Sequence, residues 1–182
     1  MANAFSDNLT PADTPLGPYS ANYRRDGAIT GARVRKKRMV VATGAVLVVA
    51  DTLVLGTFRS GDRISDLRLS FDPLSTGTAA IDLGLYKAAL DHIPVAANLI
   101  DVDLFCSAKL ITTVLDRFDC FTEAGTLEDW QRGLTLWELA NHTGASYTTD
   151  PMEDWDLVAT VRTANTSAPQ TFLFEADYVS FG

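Results

Sequence analysis

Apolar and polar residues alternate one for one through several short stretches of this chain, each closed by turn residues, and that pattern leaves few folds open. Leu67, Leu69 and Phe71 alternate with Arg68 and Ser70 and stop at Asp72-Pro73. After Ser75-Thr76-Gly77-Thr78, Ala79, Ile81, Leu83 and Leu85 alternate with Asp82 and Gly84. Successive side chains of a strand point to opposite faces, so this spacing buries one face and leaves the other wet. Two such runs around a glycine-containing loop predict a β-hairpin. Further strands are expected at Val40–Val41, Ala45–Val49, Leu53–Leu55, Leu134–Ala140, Leu157–Thr163 and Thr171–Val179. In the last of these, Phe172, Phe174, Ala176 and Tyr178 share a face.

About eight or nine short strands separated by turns predict an all-β domain, an antiparallel β-sandwich or jelly roll, with one or two short helices. One helix is expected from Thr126-Leu127-Glu128-Asp129 to Arg132, stopped by Gly133. The mixed spacing of Leu99–Thr113 allows another after Asp101 or Asp103, and Ala88–Asn98 reads as a loop. The periodicity excludes a coiled coil, a Rossmann unit and a helical repeat.

A chain of 182 residues, 47% of them hydrophobic, holds one ordinary domain. Such a domain needs neither a metal nor a disulfide to hold its core. Residues 1–22 carry Pro11, Pro15, Pro18 and Gly17 among small polar residues. They bury too little apolar area to offset their ordering entropy and predict an extended arm. In the basic segment that follows, Val34, Lys36 and Arg38 fall on one strand face, and Arg33, Arg35, Lys37 and Met39 on the other. Neither face suits a core. An edge strand that deters stray pairing, or that pairs with a neighbouring subunit, fits this pattern. The expected division is therefore an extended, partly basic arm over 1–38 and a single sandwich over 39–182.

The net charge of −8 argues against wholesale nucleic-acid binding, yet the sign is uneven. Residues 1–38 carry +4 and the rest −12. A basic arm on an acidic body suits an acidic neighbour, including another copy of the same chain. Cys106 and Cys120 lie among apolar, strand-like residues and read as buried free thiols, although a disulfide between them stays open. The start, MANAFSDNLTPADTP, lacks the basic and apolar regions of a signal peptide, and the apolar run from Ala45 to Leu55 is too short to span a bilayer. A soluble protein made in a cytoplasm is expected.

Catalytic signatures are sparse. The sequence contains no phosphate-binding glycine loop and no G-x-S-x-G elbow. His92 and His142 stand apart from any H-E-x-x-H or cysteine pair and read as loop residues. Asp101 and Asp103, and Glu153, Asp154 and Asp156, offer carboxylates for calcium, but lack the spacing and glycine of a calcium loop. Solvated strand ends explain them better. A glycosidase would need an open cleft built from long loops. The run Arg33–Arg38 has only Tyr19 and Tyr23 as aromatic neighbours for binding a polynucleotide. Asn141-His142-Thr143 and Asn165-Thr166-Ser167 fit glycosylation acceptors but read as ordinary turns. Trp137 is expected in the core, and Trp130 or Trp155 at a contact surface. No enzymatic activity, cofactor or metal is expected.

The stretches Val54-Leu55-Gly56, Gly61-Asp62-Arg63-Ile64, Leu69-Ser70-Phe71-Asp72 and Ser75 to Tyr86 together resemble small virion proteins of tailed bacteriophages. So do Asp103-Leu104-Phe105, Leu136-Trp137-Glu138-Leu139, Asp156 to Val161 and the closing Tyr178-Val179. Several such proteins are head decoration, or cement, proteins. The resemblance covers residues 40–180 and rests on strand punctuation, with no catalytic signature in it. It implies a β-sandwich present in many copies on or between major capsid proteins, located on the phage head and assembled in the host cytoplasm. Arg24, Arg25, Arg35, Lys36, Lys37 and Arg38 are then the residues expected to contact the major capsid protein or neighbouring copies. A tail, neck or fibre-base component is a second expectation. A carbohydrate-binding jelly roll using Trp130, Trp155 and Tyr147 is a third.

Overall fold

A computed structural model describes residues 34–43, 47–71, 79–111, 115–120, 133–164 and 171–180. Among these residues, eight strands form two four-stranded antiparallel sheets. Strands β1 (Val34–Ala42), β8 (Thr171–Val179), β3 (Arg63–Phe71) and β6 (Leu115–Asp119) make one sheet, in that order. Strands β2 (Thr52–Arg59), β7 (Asp154–Thr163), β4 (Ala80–Lys87) and β5 (Leu99–Leu110) make the other. The chain crosses between sheets at nearly every connection, and only β4 and β5 are neighbours both in sequence and in a sheet. This is the winding of a jelly roll, the architecture expected from the alternation.

The alternation located β3 and β4 correctly but mispaired them. They do not form a hairpin: β3 pairs with β8 and β6, and β4 with β7 and β5. Period-two spacing fixes which face of a strand is buried, and a strand facing inward from either sheet satisfies it equally. Leu67, Leu69 and Phe71 of β3 look across the core at Ile81, Leu83 and Leu85 of β4 from the opposite sheet.

Three other expectations are corrected. The strand expected at Leu134–Ala140 is helix α1 (Leu136–His142). Leu136, Leu139 and Ala140 recur at helical spacing and are buried, while the Glu138 carboxylate accepts bonds from the Thr135 N–H (3.0 Å) and hydroxyl (2.6 Å). No helix follows Asp101 or Asp103. Leu99–Leu110 is one strand whose register against β4 shifts three times, so Leu104, Phe105 and Cys106 are buried in succession and the alternation is lost. The described part of the strand expected at Ala45–Val49 is a turn closed on Asp51, whose carboxylate accepts the Val48 N–H at 2.8 Å. The helix expected at Thr126–Arg132 lies outside the described residues.

The core fills the space between the sheets with Leu55, Leu69, Phe105, Trp155, Phe172 and Phe174 among its fully buried members. Phe58 meets the edges of Phe174 and Tyr178 at 6.3 and 5.2 Å. Cys106 and Cys120 are both buried, and no disulfide joins them. A lysine over a phenylalanine ring closes each open side of the sandwich. Lys37 of β1 lies 4.8 Å from the ring centre of Phe58 on β2, and Lys109 of β5 lies 3.2 Å from that of Phe118 on β6.

One end of the sandwich gathers five features. Residues 60–62 carry the chain from β2 to β3, and the first N–H groups of α1, from Leu136 and Trp137, donate to the Asp62 and Ser60 carbonyls. The Ser60 and Ala88 N–H groups donate to the Glu153 and Asp154 carbonyls, which brings the β4–β5 loop and the start of β7 to the same place. Val34 and Arg63 both pair with Val179, so β1 begins here as well. Among the described residues no helix is long and apolar enough to cross a membrane.

Candidate interaction surface

Of the six residues expected to make contacts, Arg24 and Arg25 lie outside the described residues, and the other four sit on β1. This strand is at the edge of its sheet, as the basic pattern suggested. Its faces differ in kind. Lys37, Met39 and Val41 turn toward the core and are half-buried, while Lys36, Arg38 and Val40 face outward. Arg35 is exposed near the start of the strand.

Lys36 lies opposite Asp177 of β8 and Arg38 opposite Glu175, each 3.7 Å from its partner carboxylate. Across the sheet, Glu175 lies opposite Arg68 of β3, and Arg68 opposite Asp119 of β6. The outer face thus carries a row of alternating sign. Exposed pairs of this kind contribute about 0–1 kcal/mol each. They set which charges suit a neighbour more than they hold the fold.

Lys37 is spent inside the molecule. Its ammonium donates to the Thr57 carbonyl and lies over Phe58. Burial pushes its pKa below the usual lysine value, against the opposing pull of Asp62, Asp156 and Asp154. A lysine whose pKa falls on folding opposes folding below its folded pKa, and the opposition fades as pH rises toward 10.5. A charge pointing inward from an edge strand is also a barrier to stray pairing. Lys37→Met is therefore expected to leave thermal stability at neutral pH unchanged or raised while increasing self-association. Melting curves and light scattering on the same samples read both effects.

The second part of the surface is apolar. At the end of the sandwich where β1 begins, Val34 (54% exposed), Leu90 (107%), Ile93 (58%) and Met152 (85%) face solvent, with Val95 and Leu99 beside them in the chain. The loop carrying Leu90 and Ile93 is pinned from beneath. His92 Nδ1 lies 3.0 Å from the carboxylate of Asp156, which is almost wholly buried and accepts the Thr57 hydroxyl at 2.6 Å. His92 takes a positive φ of 53° and Met152 one of 56°, a backbone state that costs a non-glycine residue energy and persists only where surroundings hold it. Met152 is held in turn by Asp150, which accepts its N–H at 2.9 Å and a hydrogen bond from the Ser60 hydroxyl. Sequence reasoning treated Ala88–Asn98 as a plain loop. The available signal was four large apolar residues, Leu90, Ile93, Val95 and Leu99, in a segment with no alternation to bury them.

His92 is engaged by Asp156, and His142 lies exposed at the end of α1. The Asp101 carboxylate accepts the Asp103 N–H at 3.0 Å and Asp103 is exposed, as expected of solvated carboxylates, but Asp156, expected among them, is instead buried and bonded to Thr57 and His92. Among the described residues no group of three or more His, Cys, Asp or Glu is placed to hold a metal ion. Trp155 is not at a contact surface: it occupies an inward position of β7 and is fully buried, with Tyr147 packed on it at 5.6 Å. Those two residues therefore offer no exposed aromatic row for a sugar, and Trp130 lies outside the described residues. Trp137 is half-buried and packs against the core.

No family model matches the chain, and no curated protein matches it. Among solved structures, it is similar to a chain of the "Cyanophage Pam1 capsid asymmetric unit". The TM-score is 0.50 and the identity 16%, over 93% of this chain and 99% of that one. It also matches a chain in "Structure of infectious bursal disease virus Gx strain", at a TM-score of 0.34 and 10% identity, over 81% of this chain and 39% of the other. The first likeness shows a shared fold along nearly the whole of both chains. The second is too low to carry an argument.

Proposed function

We propose that this chain is a structural protein of a tailed-phage virion, a capsid decoration or cement protein that acts by contact and makes or breaks no bond. The observation that carries this reading is the apolar end of the sandwich. Large side chains are held in water there by the bond from exposed His92 to buried Asp156 and by strained backbone, beside the point where the basic arm joins β1. A monomer gains nothing from such exposure, whereas a contact surface does. The likeness to a chain of a phage capsid asymmetric unit supports the same reading. Its partners are the major capsid protein and further copies of the chain. The jelly roll supplies rigid area and presents Arg35, Lys36 and Arg38 on its edge strand, and the arm before it, with Arg24 and Arg25, reaches a neighbour. Many weak contacts repeated over a shell then hold it through avidity.

Phage heads assembled without this protein, incubated with the purified chain and sedimented, test the reading. The double variant Leu90→Glu and Ile93→Glu changes only exposed side chains, so its melting curve is expected to match the wild type. Its affinity for heads is expected to fall by about tenfold or more, the scale of losing a central apolar anchor. Wild-type binding by the variant would remove the apolar end from the contact.

A further inference from the structure

We infer that the free edge of β1 is a strand-addition site for an extended segment of another protein, one that bears acidic residues at alternate positions. The four edge strands differ in a way that singles out β1. Strand β2 slips register against β7 between Val54 and Gly56, β6 against β3 between Leu69 and Phe71, and β5 three times against β4. A bulge breaks the ladder and twists an edge away from further pairing. Strand β1 pairs with β8 through nine residues, from Val34↔Val179 to Ala42↔Thr171, without a shift. Among the described residues no strand covers its other side.

The outward side chains choose the partner. From Arg38 the row across the sheet runs Arg38, Glu175, Arg68, Asp119, and a carboxylate opposite Arg38 on an added strand continues that alternation. Lys36 and Arg38 are 58% and 64% exposed in their side chains. Their 3.7 Å pairs are long for a charge-assisted hydrogen bond. Each retains donors for a second carboxylate. On either side of them Val34 and Val40 are exposed and apolar. The matching segment is therefore apolar, acidic, acidic and apolar at every second residue. Strand β8 meets the inner edge of β1 with that same pattern in Leu173, Glu175, Asp177 and Val179. A second copy's β1 fits poorly, because it would bring Lys36 and Arg38 against their own counterparts, and like charges across strands repel. The inference rests on the proposed docking role for a protein partner, while its test needs no phage, so either can fail alone.

The full chain is mixed with one of two synthetic peptides of nine residues, the length of β1. One is Thr-Val-Thr-Glu-Thr-Asp-Thr-Val-Thr, and the other carries lysine in place of both acids. Affinity is read by fluorescence anisotropy and the site by hydrogen exchange. The acidic peptide is expected to bind about tenfold or more tightly than the basic one, with the difference shrinking in salt. Exchange is expected to slow over residues 34–42. The double charge swap Lys36→Glu and Arg38→Glu is expected to invert the preference. If that variant does not fold, the two peptides and the salt series on the wild type still decide. Equal affinities, no binding, or slowed exchange on a different strand would overturn the inference. So would protection of 34–42 that is complete without peptide, which would mean the chain's own segment holds the edge. Protection that grows with protein concentration alone would assign the edge to a second copy and equally overturn it.

Discussion

Replacing Gly84 by valine is expected to cost the chain its fold. Gly84 sits in the middle of β4, between β5 and β7. A Cβ built there would lie 2.0 Å from the Asp101 carbonyl oxygen and 2.4 and 2.5 Å from the carbonyl carbon and oxygen of Val102. These are backbone atoms of a bulged strand, with no flexible side chain to swing aside. Relief requires β5 to move, and β5 carries Phe105 and Cys106, both fully buried in the core. Ordinary overpacking costs ~1–3 kcal/mol. A clash with backbone belongs at or beyond that upper end, against a total stability of about 5–15 kcal/mol for a domain. Insoluble expression, or a melting transition lost at the wild-type temperature, is the expected result. Val48→Ala, at a position 56% exposed, serves as the control and is expected to change stability by no more than ~0.5 kcal/mol. A soluble Gly84→Val protein with wild-type melting would mean that β5 does not lie against β4 as described.

Removing residues 1–33 is expected to leave the jelly roll folded and to abolish binding to phage heads. Val34 is the first residue of β1, so this cut takes away no described strand. A cut after Arg38 would strip Val34–Arg38 from the ladder with β8 and confound loss of the arm with damage to the sheet. The effect is expected to be large because, on the proposed reading, the arm and body bind as linked modules. Losing one removes the gain in effective concentration as well as its own contacts, and such linkage multiplies affinity by ~10²–10⁴. The readouts are far-ultraviolet circular dichroism and melting for the fold, and sedimentation with heads for binding. Heads that retain the truncated chain as well as the full one would rule out the arm as a docking element.

The alternation of apolar and polar residues carried the architecture a long way. It placed β3, β4, β7 and β8, and the charge pattern of Arg35–Arg38 identified an edge strand before any pairing was known. Alternation is blind to which strand lies alongside which, and so it made a hairpin of β3 and β4, which the jelly roll splits between its sheets. It also fails wherever a bulge interrupts the period, as along β5, where three consecutive residues are buried. Helix α1 was readable from Thr135 and Glu138 at capping spacing, but seven residues of helix leave too short a periodic signal to outweigh a strand reading. The proposed contact surface is half legible in the sequence. Four of the basic residues marked the edge, yet Lys37 among them faces inward, which a count of charges does not reveal. The apolar end depends on a bond between His92 and Asp156, far apart in sequence, that fixes the shape of a loop whose position alone the local pattern predicts.

On the proposed reading a phage encodes this chain, and electron cryo-microscopy of that phage's native particles tests the central claim most directly. The expected result is jelly-roll density at repeated positions over the shell, with the end bearing Leu90, Ile93 and Met152 seated on capsid subunits and density leading from Val34 onto a neighbour. Particles that lack the chain, or that hold it with that end turned to solvent, would contradict the account.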